Sequence, residues 1–176
     1  MPNQFAIDVT RIREDARARM DAGPVTVGNT SDHKRVIEIL NDVVATEMVC
    51  YLRYSQHAIV ATGLDRGPIA AEFTENAAQE LQHGLWAADR IDQLGGKPDL
   101  NPATFAERSH TEYVEVADAD LKSMVAENLV AERIVITTYQ EIVRWLGADD
   151  PTTRRLLERI LADEEEHADE LTTLLG

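Results

Sequence analysis

The sequence predicts an all-α fold: a bundle of four long helices, with a long crossover between the second and third and an N-terminal arm ahead of the first. Three observations predict it. Apolar residues recur at steps of three and four along four long segments, the period of a helix with one buried face. Gly and Pro pairs separate those segments. Strand-favouring runs are few, while Ala, Leu, Glu and Arg, all good helix formers, are frequent. At 176 residues the chain fits one domain, and 44% hydrophobic residues are enough for a core.

Residues 1–30 read as the arm, with a short helix over Asp8 to Met20 that Gly23-Pro24 and Gly28-Asn29 break. Residues 31–176 read as the bundle. The first long helix starts at a Ser31-Asp32 cap and runs to about Thr62; its inward face is Val36, Leu40, Val43, Glu47, Cys50, Tyr54 and Ala58. The second runs from about Pro68 to Leu94, with Pro in the first turn and Gly95-Gly96 at the stop. Its face is Phe73, Ala77, Glu80, His83, Ala87 and Ile91. Residues 95–118 form a connection far longer than antiparallel neighbours need, so the third helix is expected parallel to the second. That third helix runs from about Asp118 to Leu146, and the fourth from about Thr152 to Leu175.

The formal net charge of −15 disfavours DNA, RNA and anionic membranes, which bind through Lys and Arg, and favours cations, although by itself it reads first as a means of solubility. Cys50 is the single cysteine, so neither an intrachain disulfide nor a thiolate metal site can form within one chain, which suits a cytoplasmic protein. No apolar run reaches the roughly 20 residues of a membrane span. Met1 to Met20 lacks the basic-then-apolar order of a signal peptide.

Each helix carries one Glu near the middle of its apolar stripe: Glu47, Glu80, Glu132 and Glu164. Four buried carboxylates repel one another, and each unpaired buried charge costs several kcal/mol. Folding would expel or protonate them unless cations sit among them; two divalent ions would balance all four. His83 and His167 each stand three residues after a Glu, on the same helix face. Oxygen-rich sites with two imidazoles suit iron or manganese. A lone Glu-x-x-His is weak evidence: Glu107 and His110 form a third match, in the connection, read as an exposed coincidence. The order is stronger evidence. Glu and then Glu-x-x-His occurs twice, and the two halves are offset by 84 or 85 residues throughout. Tyr54 and Tyr139 each follow the first Glu of their half by seven.

With Leu40-Asn41 before Glu47, the Tyr54 offset, Leu94-Gly95-Gly96-Lys97-Pro98-Asp99-Leu100 and Asp163-Glu164-Glu165-Glu166-His167, residues 34–175 resemble the ferritin-like superfamily, in particular bacterioferritin and bacterioferritin-like Dps-type proteins. The resemblance implies a ferroxidase centre of two iron ions per chain, with manganese as the other candidate. One ion would take Glu47 and His83, the other Glu132 and His167, and Glu80 and Glu164 would bridge them. Tyr54 matches a family tyrosine that supplies an electron or donates a hydrogen bond to a ligand. Tyr139 is read as packing, and His57 as a surface residue. In the run Asp163 to Glu166, only Glu164 is expected to face inward.

Three departures qualify the resemblance. Leu81 stands where bacterioferritin places its haem-ligating Met, and Met48 is on the wrong helix, so haem is not expected. Glu75 and Gln79 replace the His and Asp of the inner-surface iron site. No fifth helix pattern follows the fourth, and an arm is added, which resembles twelve-subunit shells more than shells of twenty-four. A Lys-rich tail like that of DNA-binding Dps proteins is also missing. The function implied is oxidation of Fe(II) with O2 or H2O2 for iron storage and oxidative-stress protection. Alternatives on the same ligands are a rubrerythrin-like peroxidase, a manganese catalase or another dimetal oxidoreductase; a third is a metal-stabilised structural bundle.

Overall fold

The computed structural model describes residues 5–116 and 120–176. Among them every regular element is helical: α1 (Val9–Ala18), α2 (His33–Val60), α3 (Arg66–Gln93), α4 (Phe105–Arg108), α5 (Leu121–Leu146) and α6 (Pro151–Leu175), with 3-10 turns at Met20–Ala22 and Pro102–Thr104. Four of the helix starts, those of α1, α2, α5 and α6, have a side-chain cap. The side chains of Asp8, Asp32, Asp120 and Asp150 accept from the backbone N–H three residues on, replacing hydrogen bonds that a first helical turn lacks. Pro151 fills the first turn of α6. Gly95 and Gly147, both at positive φ, stop α3 and α5.

Ala61–Asp65 joins α2 to α3, and Gly147–Asp150 joins α5 to α6; such short loops make each packed pair antiparallel. The crossover runs along α2. Asn41 Oδ1 accepts from Asp99 N–H (2.7 Å), Thr46 Oγ1 from His110 N–H (2.9 Å), and Arg53 Nη1 donates to Glu112 O (3.1 Å). Gln56 then meets Glu115 and Tyr113. The connection therefore climbs from the N-terminal end of α2 to its C-terminal end, and α5 starts there, with Leu121 against Gly63. That makes α5 parallel to α3, as the length of the connection predicts.

The expected boundaries shift by a few residues. The first long helix stops at Val60, and the second begins at Arg66, two residues before its Pro. The expected start of the third at Asp118 lies outside the described residues. The crossover is more ordered than its turn signals suggest. Asn101 caps the turn at Pro102, and Arg108 reaches back to Asp99 O (2.9 Å) and Asn41 O. In the arm, Phe5, Ile7, Val9 and Ile12 lie exposed. The chain rejoins the bundle at Val25, which packs on the core, and Thr30, whose N–H donates to Asp149 O (3.0 Å).

The apolar core is in two parts. One surrounds Leu40, Val43, Ile91, Leu157 and Ile160; the other surrounds Phe73, Met124, Val125 and Leu171. A layer of polar side chains lies between them, at the middle of the four long helices.

Candidate metal centre

Glu47 of α2, Glu80 of α3, Glu132 of α5 and Glu164 of α6 meet at the bundle axis, each at most 1% exposed. His83 and His167 follow one turn after Glu80 and Glu164 and are equally buried. The structure thus brings together all six residues that the sequence singles out. They form two groups, Glu47–Glu80–His83–Glu164 and Glu80–Glu132–Glu164–His167. Within each, four ligand-type atoms lie within 4.8 Å of one another, close enough to hold a metal ion. Glu80 and Glu164 belong to both.

Both imidazoles point Nδ1 inward. His83 Nδ1 lies 3.1 Å from Glu164 Oε1 and 3.5 Å from Glu47 Oε2; His167 Nδ1 lies 3.2 Å from Glu164 Oε2 and 3.6 Å from Glu80 Oε1. Nε2 of each is held from the opposite helix. His83 Nε2–H donates to Asp163 Oδ2 (3.1 Å), and His167 Nε2–H donates to Gln79 Oε1 (3.0 Å). Placing the proton on Nε2 frees Nδ1 for a ligand role and fixes the ring plane.

The two tyrosines also cross between halves. Tyr54 of α2 donates its O–H to Glu132 Oε1, and Tyr139 of α5 donates to Glu47 Oε1. Both are fully buried. Burial, reinforced by the adjacent Glu, raises both phenols well above their usual range, so they stay protonated donors. The reading of Tyr139 as packing is therefore corrected: a buried carboxylate needs a donor, and this O–H supplies it.

The cluster leaves several of its buried polar atoms without partners. Glu47 Oε2, both oxygens of Glu80, Glu132 Oε2, Glu164 Oε2 and His167 Nδ1 are buried without a hydrogen bond among the described residues. Burial and then Glu80 push Glu47 up to about 8. Burial, Glu80 and Glu164 raise Glu132 well above the carboxylate range. For Glu80, burial and Glu164 oppose ionisation, but His167, His83 and Glu47 outweigh them and lower it. Burial disfavours the charged imidazoles, yet Glu164, Glu47 and Glu80 raise His83 strongly, and Glu164 and Glu80 lift His167 to about 11. Unpartnered oxygens converging on inward nitrogens fit cations, which would displace these protons.

Other assignments change. Asp163 is only one-third exposed, and its bond to His83 removes it from the solvated acidic run. His57 is buried, not a surface residue: Asn128 Nδ2 lies 3.0 Å from its Nδ1, and burial followed by Arg53 lowers it to about 4. His110 is half-buried, with Nδ1 2.9 Å from Thr46 Oγ1, so it pins the crossover instead of lying exposed. Arg53, unremarked in the sequence, is 1% exposed; its Nε donates to Asn128 Oδ1 (2.9 Å). Only the burial of these helix faces distinguishes such residues, and no local motif marks them. Cys50 is buried, as its place on the stripe predicts.

A four-helix bundle with a long crossover and a buried layer of four carboxylates and two imidazoles defines a class of helical carboxylate proteins. The sequence pattern of the ferritin-like domain matches residues 37–176, and the chain belongs to that family. A "Nutrient stress-induced DNA-binding protein" of Synechococcus is 29% identical over 142 residues, covering 79% of this chain and 80% of that protein. A bacterioferritin of Desulfovibrio desulfuricans is 28% identical, covering 80% and 74%. Among solved structures, a dodecameric thioferritin, the bacterioferritin-related protein of Bacteroides fragilis, is 35% identical with a TM-score of 0.80, covering 83% of this chain and 87% of that one. Dps proteins share the fold. No helix among the described residues is long and apolar enough to cross a membrane.

Proposed function

We propose that the protein is a ferroxidase, taking two Fe(II) ions per chain as substrate and oxidising them with O2 or H2O2 for iron storage and protection from oxidative stress. The observation that carries this reading is the pair of four-residue groups sharing Glu80 and Glu164. Glu47 and His83 would hold one ion, Glu132 and His167 the other, with Glu80 and Glu164 spanning both. Each Fe(II) gives one electron, so a pair converts H2O2 and two protons to two water molecules without a one-electron product. Tyr139 and Tyr54 orient Glu47 and Glu132 through their O–H groups. The Nε2 bonds to Asp163 and Gln79 keep the imidazoles aimed inward.

A homo-oligomeric shell, with twelve subunits favoured, is part of the proposal; the dodecameric thioferritin supports it. The −15 charge would draw Fe(II) towards that shell. Two relatives are named as DNA-binding, but 32 acidic against 17 basic residues here argue against nucleic acid as a partner. A cytoplasmic location is also proposed, and haem is not.

The test is to add Fe(II) anaerobically to metal-free protein, admit O2 or H2O2, and follow ferric formation and particle size together. Fast oxidation of the first two ions per chain, then uptake of a large excess into a soluble assembly, is expected. Saturation at two ions on a small oligomer would refute storage and leave peroxidase or catalase chemistry. Absence of binding would refute the centre itself.

A further inference from the structure

The two metal positions differ in what supports them, although their ligand types match. Gln79 and Asp163 occupy equivalent places in the repeat: each immediately precedes a shared Glu, and each accepts Nε2–H from the histidine of the opposite helix. One acceptor is a neutral amide and the other a carboxylate. A carboxylate behind an imidazole makes the ring a stronger donor to a cation on its other nitrogen. His83 has that support; His167 does not.

A second difference acts in the same direction. The buried guanidinium of Arg53 bonds Asn128, one turn before Glu132 on α5, and feels the charge of Glu132. The equivalent of Arg53 in the other half is Thr138, whose hydroxyl is spent on Ile134 O (2.8 Å). A fixed positive charge therefore flanks the Glu132–His167 position and has no counterpart at its repeat position beside Glu47. Its repulsion is weakly screened in the interior.

We infer that the two positions fill in order: the Glu47–His83 position, backed by Asp163, takes the first divalent cation, and the Glu132–His167 position, backed by Gln79 and flanked by Arg53, takes the second more weakly. The inference rests on the metal-centre reading above. Asp163 and Gln79 are positioning residues in it, acting through the imidazoles.

The test titrates metal-free protein with Co(II), without oxidant, by calorimetry and visible absorption. Wild type should bind two ions per chain in two steps separated by about tenfold or more, since support of this kind sets affinity by roughly 10–100-fold. D163N should weaken the tighter step by about that factor and merge the two. Q79E should tighten the weaker step. H83Q should remove the tight step and H167Q the weak one, with circular dichroism confirming that each variant folds. Two ions bound with equal affinity, or D163N acting on the weaker step, would overturn the ordering while leaving the centre intact. Fewer than two ions per wild-type chain would overturn both.

Discussion

Replacing Tyr139 by Phe keeps the ring and removes one oxygen from a fully buried position, so it opens no cavity of consequence. What is lost is the O–H donated to Glu47 Oε1. Glu47 Oε2 already lacks a hydrogen bond among the described residues, so the substitution leaves the whole carboxylate without a donor. Measured above about pH 8, where Glu47 is ionised, a hydrogen bond to this charged group contributes about 1.5–3 kcal/mol. In a domain of this size that corresponds to a fall of about 3–12 °C in Tm. For an ion bound through Glu47 it corresponds to roughly 10- to 100-fold in affinity, because the carboxylate is no longer held in place. Thermal unfolding of the metal-free protein and Co(II) titration of both proteins measure the two effects. A Tm within about 1 °C of wild type, together with unchanged affinity, would show that Tyr139 only packs.

Y54F should behave alike but weaken the Glu132 side, because Tyr54 donates to Glu132; equal effects on both binding steps would contradict the crossed pairing. E80Q and E164Q should each abolish paired binding, since both positions share these residues, and two ions retained in either variant would refute the sharing. Glu47 is raised from 4.5 to about 8 and His167 from 6.5 to about 11. Both folded values exceed the unfolded ones, so their contribution to stability is complete below the unfolded values and lost as pH rises through the folded ones. The Tm of metal-free protein should accordingly fall between pH 4.5 and about 8 while metal affinity rises, and a Tm that climbs through that window would contradict the assignment. At Gly84 an added Cβ would lie 2.9 Å from Met48 Cε, which can swing away, and 3.3 Å from Glu47 Cβ, which cannot. G84A should therefore cost metal affinity while helix propensity, worth about 1 kcal/mol, offsets the loss in stability; unchanged affinity would show that α2 yields freely there.

The four helices, the crossover and the six clustered residues were legible because each leaves a periodic trace. The apolar stripe marks the buried face, and a Glu interrupting every stripe at a matching offset marks the layer between the two apolar clusters. Tyr139 shows where periodicity stops short: its offset matches that of Tyr54, but spacing alone does not say whether a tyrosine on a buried face uses its hydroxyl. Asp163 and Gln79 point across to neighbouring helices, a direction set by packing angle and not by one helix's own pattern. The network of Arg53, Asn128 and His57 joins α2 to α5 across some 75 residues of sequence, with no motif at either end. Helix ends such as Arg66 ahead of Pro68 depend on the first turn tolerating Pro at more than one position.

The most direct test of the central claim is an anomalous difference map from a crystal soaked in Mn(II) or Fe(II). Two peaks per chain are predicted, one beside Glu47 and His83 and one beside Glu132 and His167, with Glu80 and Glu164 reaching both. A single peak elsewhere, or none at the bundle axis while the six side chains remain clustered, would contradict it.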